Sequence, residues 1–274
     1  MKASGGKTSI ESSIERARRL AAKAPVLKAT RPLFDRAVQY AARKRGVTLA
    51  APAGDSFRFD ASLFRNSYEN HEPEVYAWVM GRLEPGSTFF DIGAWIGLFT
   101  LGAARRVGPQ GRVVAFEPSA GNAGLLRRHV ELNELEDRTV VVEALVGDAT
   151  GNAPFFAAPG PDMENSIVAR PGATREELPM TTVDAVVAET GDVPDVLKID
   201  VEGAEYRVLL GAKATMAEHR PVIVCAIHTE LLRALGDSPE QVASLAGEVG
   251  YSLQGLDGRP VSTLTDTEIL MVPQ

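Results

Sequence analysis

The chain has 274 residues, 45% of them hydrophobic, a net charge of −7 and a single cysteine, Cys225. That length supports one ordinary domain core plus an extension, the lone cysteine rules out an internal disulfide, and the longest apolar run, residues 222–227, is far short of the ~20 residues that cross a bilayer. Charge is uneven. Residues 1–50 carry 12 Lys and Arg against 3 acids and the remainder 17 against 33, so the bulk of the chain is acidic and a poor match for nucleic-acid phosphates. The basic start reads as a solvated helical face. It has no apolar stretch of the secretory kind, and the expected compartment is the cytoplasm.

In chain order, "TSIESSIERARRLAAKA" (8–24) predicts a helix stopped by Pro25. "RPLFDRAVQYAARKRG" places Leu33, Phe34, Ala37, Val38, Ala41 and Ala42 on one helical stripe, with Gly46 as its stop. "SFRFD" alternates as a short strand, and "EPEVYAWVMGRLEPG" predicts a helix ended by Pro85 and Gly86. Residues 1–70 are therefore expected to be a helical extension or lid, with the main domain over 71–274.

From Thr88 the pattern changes to apolar strands separated by helices: "TFFDIG", "RVVAFEP", "VVVEALVG", "VLKIDVEG" and "PVIVCAIH". Strands so uniformly apolar are buried on both faces, which predicts a mostly parallel sheet flanked by helices, an α/β doubly wound domain. Ser119 is the expected N-cap of the helix after the second strand. Residues 152–183, with Pro154, Pro159 and Pro161, break the rhythm and predict an inserted hairpin over the site.

Ligands of such sheets sit at the carboxyl ends of the strands, where strand order reverses. "DIGAWIG" delivers Asp91, Gly93 and Gly97 to that edge, and Glu117 follows Gly97 by twenty residues, the spacing at which an acid reaches ribose hydroxyls. A dinucleotide turn wants a third glycine so that pyrophosphate can rest on the helix N-terminus. Here Trp95 stands in its place. The turn therefore suits an adenosine cofactor without phosphates, S-adenosyl-L-methionine, with Asp91 near its cationic amine. The alternative is a pair of helix-packing glycines followed by an exposed Glu.

"DIGAWIGLFTL", "GRVVAFEP", "ALVGDATG", "TTVDAVV", "VLKIDVEGAEYRVLLGA" and "RPVIVCAIH", in this order and spacing, resemble the FkbM family of S-adenosylmethionine-dependent methyltransferases. The resemblance implies the class I methyltransferase fold, a Rossmann-like seven-stranded sheet whose last strands are "YSLQGLDGRPV" and "EILMVP", and O-methylation of a hydroxyl on a sugar or secondary metabolite. Asp91, Gly93, Ala94 and Gly97 match the family's cofactor turn, and Glu117 with Pro118 its ribose-binding strand end. Glu143, Ala144 and Leu145 are candidates to frame adenine. Two positions depart from the family: Trp95 replaces its usual Asn, so that its bulk either covers the methionine end or shapes the acceptor pocket, and Ala226 replaces its usual Glu.

A neutral hydroxyl must lose its proton before it takes a methyl group. Asp200, Glu202 and His228 leave the ends of the fourth and fifth strands and are the catalytic candidates, with His228 the default base. A carboxylate closing an apolar strand needs a partner, and Asp200 reaches Lys198 only if the chain bends. The same three residues also suit a hard divalent ion such as Mg2+. His129 is expected to be solvated and His219 to lie in a loop. His71, with Tyr68 and Glu72, stands in a segment that could close over the cofactor. Three rivals stay open: an N- or carboxylate-methyltransferase, an NAD binder, and a non-catalytic protein that keeps the fold. A homodimer is the expected assembly.

Overall fold

The computed structural model describes residues 31–157 and 174–274. The helix expected over 8–24 and the middle of the 152–183 segment lie outside them. The chain divides into two units, the first ending at Asn70 and the second running His71–Gln274.

In the first unit the apolar stripe forms helix α1 (Arg31–Ala42), followed by an antiparallel hairpin of β1 (Val47–Ala50) and β2 (Ser56–Phe59). Strict alternation buries Val47, Leu49, Phe57 and Phe59 on one face. Tyr68 is buried in this unit with its ring 5.0 Å from that of Phe59.

The second unit opens with α2 (Pro73–Arg82), whose proline occupies the first turn, where its missing N–H costs nothing. Then come β3 (Thr88–Ile92), α3 (Leu98–Val107), β4 (Arg112–Phe116), α4 (Ala120–Leu132) and β5 (Thr139–Val142). A small sheet of β6 (Leu145–Val146), β7 (Gly151–Ala157) and β8 (Thr174–Thr181) follows, in the order β6-β8-β7. The chain returns through α5 (Val183–Thr190), β9 (Val196–Ile199), α6 (Glu205–Leu210), α7 (Lys213–His219), β10 (Val222–Ile227), α8 (Thr229–Ala234) and α9 (Pro239–Glu248). It closes with β11 (Tyr251–Gln254) and β12 (Thr267–Pro273).

Seven strands make the main sheet in the order β11-β12-β10-β9-β3-β4-β5, with β12 antiparallel to both neighbours and the five strands from β10 to β5 parallel. This is the mostly parallel, helix-flanked class I methyltransferase sheet that the sequence implies. Phe89, Phe90 and Ile92 on β3, Val113 and Phe116 on β4, and Leu197 and Ile199 on β9 are buried, which is why these strands read as unbroken apolar runs. The third apolar run corrects its reading. "VVVEALVG" is not one strand but two: β5 ends at Val142, Glu143 is exposed, and β6 joins the small sheet. As the sheet's edge, β5 is only half covered, with Val140 to Val142 partly exposed. No helix among the described residues is long and apolar enough to cross a membrane.

Strand order reverses between β3 and β9, so a crevice opens beyond their carboxyl ends. Two glycines make that approach possible. A Cβ on Gly93 would lie 1.8 Å from the Asp200 carbonyl oxygen, and one on Gly97 would lie 2.2 Å from Leu126 Cδ1. Both glycines also have positive φ, 84° and 92°. Their conformational freedom thus serves protein packing at the β3–β9 seam and against α4 as much as any approach to a ligand.

Candidate active site

A cavity of about 290 Å³ sits at this switch point. At its β3–β4 end, Asp91 closes β3 fully buried. Its Oδ2 accepts a hydrogen bond from Thr100 Oγ1 at 2.6 Å, and its Oδ1 has no partner among the described residues. Burial pushes the Asp91 carboxyl up, and the nearby Lys198 charge opposes this. The turn after it is locked to β4, since the Gly93 and Ala94 N–H groups donate to the Phe116 carbonyl at 3.0 and 2.9 Å.

Trp95 takes the left-handed conformation, φ 49°, uncommon for a bulky side chain. Its backbone N–H donates to Glu117 Oε2 at 2.9 Å. Glu117 Oε1 accepts from Ser119 N–H at 3.0 Å and from Asn122 Nδ2 at 3.4 Å. Ser119 is the N-cap of α4 by position, but no side-chain capping bond forms there. Three neutral donors therefore aim the Glu117 carboxylate, and burial outweighs them, raising its pKa to about 7. The Trp95 ring lies 5.5 Å from that of His71, and both line the cavity. Gly93, Ala94, Pro118, Ala144 and Leu145 line it too. Gly97 does not line it and instead packs on Leu126, while Glu143 turns outward to Arg127 at 2.7 Å.

The β9–β10 end is built from charges. Lys198 Nζ is 3.0 Å from Asp200 Oδ2 and 4.7 Å from the centroid of the Phe99 ring. Residues two apart on a strand share a face, so this pair forms without the bend that the sequence reading required. Burial would deprotonate Lys198, but the charges of Asp200, Asp91 and Glu72 outweigh burial and raise its pKa. Asp200 moves down despite burial, held ionised chiefly by Lys198. Burial pushes Glu72 up against the same lysine.

Glu202, φ 54°, is left-handed like Trp95 and Glu72 (φ 44°), which also stand in the cavity wall. His228 follows β10, and its Nδ1 lies 2.7 Å from Oε1 of the fully buried Glu205, which also accepts from Gly203 N–H at 2.9 Å. That contact leaves Nε2 3.9 Å from both Asp200 Oδ1 and Glu202 Oε1. Burial alone would lower the His228 pKa. The Glu205 hydrogen bond and the charges of Glu205, Glu202 and Asp200 overcome it and raise it to about 9.

The three catalytic candidates thus meet in space. One ligand atom from each of Asp200, Glu202 and His228 lies within 4.8 Å of the others. The remaining histidines correct two readings: His129 is fully buried with Nδ1 2.8 Å from the Ile96 carbonyl, because α4 turns it inward against the turn, and His219 ends α7 instead of lying in a loop. Sequence reasoning missed Phe155, Asn122, Glu205 and Glu268. Glu205 stood inside "KIDVEGAE" and was legible as a second acid there. Phe155 and Glu268 reach the cavity from β7 and β12, and no local pattern signals either.

The FkbM methyltransferase domain matches residues 91–253, which takes in the cofactor turn, the β9 motif and the β10 histidine. The chain belongs to the FkbM methyltransferase family. The FkbM methyltransferase of Methylobacillus flagellatus is 20% identical with a TM-score of 0.46, over 69% of this chain and 44% of its own. An S-adenosylmethionine-dependent O-methyltransferase of Thermotoga maritima is 13% identical with a TM-score of 0.44, over 84% and 78%. The AMB antimetabolite synthetase AmbE of Pseudomonas aeruginosa is 27% identical over 221 residues, 66% of this chain. This FkbM-family chain spans about a tenth of the length of that curated relative and under half of the Methylobacillus structure.

Proposed function

We propose that this protein is an S-adenosylmethionine-dependent O-methyltransferase whose acceptor is a hydroxyl on a small molecule, a sugar or a glycosylated secondary metabolite. The observation that carries the reading is the pair of acids flanking the turn. Asp91 keeps one oxygen buried and, among the described residues, unmatched at the end of β3, and Glu117, aimed by three neutral donors, stands just past the end of β4. A ligand with an ammonium group and a ribose diol satisfies both. Asp91 receives the ammonium, Glu117 the diol, and Ala144 and Leu145 border the adenine. Gly93, Ala94 and Pro118 shape the seat, Gly97 holds the turn on α4, and Trp95 with His71 and Glu72 walls the methionine end.

The cofactor supplies a methyl group on sulfonium, an electrophile whose leaving group is a neutral thioether. What remains for the protein is alignment and removal of the hydroxyl proton. At neutral pH His228 is an imidazolium and donates; it accepts a proton only as pH climbs toward 9. A second version of the reading follows from that. With Glu205 fixing Nδ1, Nε2 faces two carboxylate oxygens, an arrangement of ligand and supporting carboxylate common around metal ions. Asp200, Glu202 and His228 would then hold a divalent ion, Mg2+ or a softer cation that suits imidazole, and the acceptor hydroxyl would be acidified there.

The reading carries with it an extension or lid over 1–70, whose described part joins helix α1 to the β1–β2 hairpin, a catalytic domain over 71–274, a cytoplasmic location and a homodimer. An N- or carboxylate-methyltransferase needs no base and is the alternative. The deciding experiment is calorimetric titration with S-adenosylhomocysteine, with NAD as control, followed by transfer assays with and without chelator. Micromolar binding that E117A weakens supports the reading. Binding of NAD instead, or turnover unaffected by both H228A and D200A, would sink it in favour of the alternatives.

A further inference from the structure

The cavity's carboxylates can be matched one by one. Asp200 pairs with Lys198 at 3.0 Å, Glu72 stands 3.5 Å from His71, Glu202 3.9 Å from His228, and Glu117 is satisfied by backbone and amide donors. Asp91 accepts from Thr100, and its spare oxygen belongs to the cofactor seat. Glu268 is different. It lines the same cavity half-buried, and among the described residues it has neither a hydrogen-bond nor an ion-pair partner; its charge only opposes that of Glu72.

Its position is set by the sheet. Glu268 lies on β12, between β10 and β11, directly opposite Ala226 on β10. Ala226, also in the cavity wall, contributes only a methyl group, so the space over this register is left to the glutamate. From Glu117, just past the end of β4, to Glu268 on β12 the sheet crosses four strand spacings, roughly 19 Å at about 4.8 Å each. Glu268 therefore serves the acceptor side and not the ribose seat. It is also not one of the three residues whose ligand atoms converge within 4.8 Å of one another.

A carboxylate that lines the cavity without a counter-charge offers a cation a charged acceptor. We infer that Glu268 selects acceptors that carry an ammonium group beside the hydroxyl to be methylated, an amino sugar or comparable amino alcohol. This rests on the methyltransferase reading above. Glu268 takes the ammonium in a charge-assisted hydrogen bond, and the adjoining hydroxyl is left facing Asp200, Glu202 and His228.

The test uses the full chain with radiolabelled S-adenosylmethionine and matched acceptors: glucosamine, galactosamine and mannosamine against their N-acetyl forms, and serinol against glycerol. Each neutral member keeps the hydroxyls of its ammonium partner and lacks the positive charge, glycerol setting a third hydroxyl where serinol has its amine. The wild type should prefer the ammonium member at least about ten-fold in kcat/KM, the range of one charged hydrogen bond, and E268Q should collapse that preference toward unity through KM while binding S-adenosylhomocysteine as the wild type does. Equal use of both members, preference for the neutral ones, transfer to none of them, or a preference that survives E268Q would each overturn the inference. Failure of the wild type to bind S-adenosylhomocysteine would instead strike the underlying reading.

Discussion

The two ends of one cavity are built by opposite means. At the β3–β4 end the polypeptide itself does the positioning, with two glycines pressed against neighbouring chain, Trp95 turned left-handed, and Glu117 held by backbone N–H groups. At the β9–β10–β12 end, side chains from separate strands place charges against one another, Lys198 with Asp200 and Glu205 with His228. The lesson is a division of labour. A seat made of backbone suits a ligand that never changes, and a seat made of side chains can be retuned by single substitutions.

The largest break in that comparison should come from Gly93→Ala. The new Cβ meets the Asp200 carbonyl oxygen at 1.8 Å and takes a positive φ, so clash and strain together should cost roughly 3–5 kcal/mol. Chemical denaturation reads this directly. Stability within about 1 kcal/mol of wild type would mean that the β3–β9 seam yields freely and is no rigid seat.

Substitutions at the charged end should spare the fold and strike turnover. H228A should lower kcat by about 10²–10⁴-fold, with S-adenosylhomocysteine affinity kept. Glu205→Gln removes the main influence raising the His228 pKa, so the alkaline inflection near 9 should move down in a pH–rate profile or an NMR titration of the ring. The sign for stability follows. His228 is raised from 6.5 to about 9, so its contribution is complete below about 6.5 and is lost as pH rises through about 9. An unmoved inflection in E205Q would remove Glu205 from this role.

Glu117 sharpens the contrast at the other end. E117A should weaken S-adenosylhomocysteine by roughly 10- to 100-fold, the scale of hydrogen bonds to a charged group, without shifting the alkaline inflection. Its pKa, raised by burial from 4.5 to about 7, gives the free protein a stabilising contribution that is full below about 4.5 and is lost as pH climbs through about 7. A diol ligand favours the ionised form, so binding near pH 6.5 should release protons, visible as buffer-dependent calorimetric heats. Identical heats in buffers of different ionisation enthalpy would contradict this. The smallest effect belongs to E143A. Its bridge to Arg127 is half exposed and worth less than about 1 kcal/mol, so both stability and affinity should stay near wild type.

Local pattern made the parallel strands legible because β3, β4 and β9 are covered on both faces and are apolar at nearly every position, Asp91 and Lys198 at the cavity being the buried charged exceptions. It misjudged "VVVEALVG" because an edge strand with an apolar sequence looks the same as a central one. It misjudged His129 for a related reason, since flanking arginines suggest solvent while one helical turn rotates the ring into the protein.

Residues 91–117, a contiguous strand–turn–helix–strand, could be read from the sequence alone, because short-range geometry decides where Asp91, Trp95 and Glu117 fall. Sequence also named Asp200, Glu202 and His228 as candidates. Strand alternation alone puts Lys198 and Asp200 on one face. Only the tertiary structure decided that Glu205 backs His228 and that Glu268 enters the cavity opposite Ala226. These contacts join positions more than twenty residues apart and depend on side-chain direction and strand register, which no local periodicity encodes.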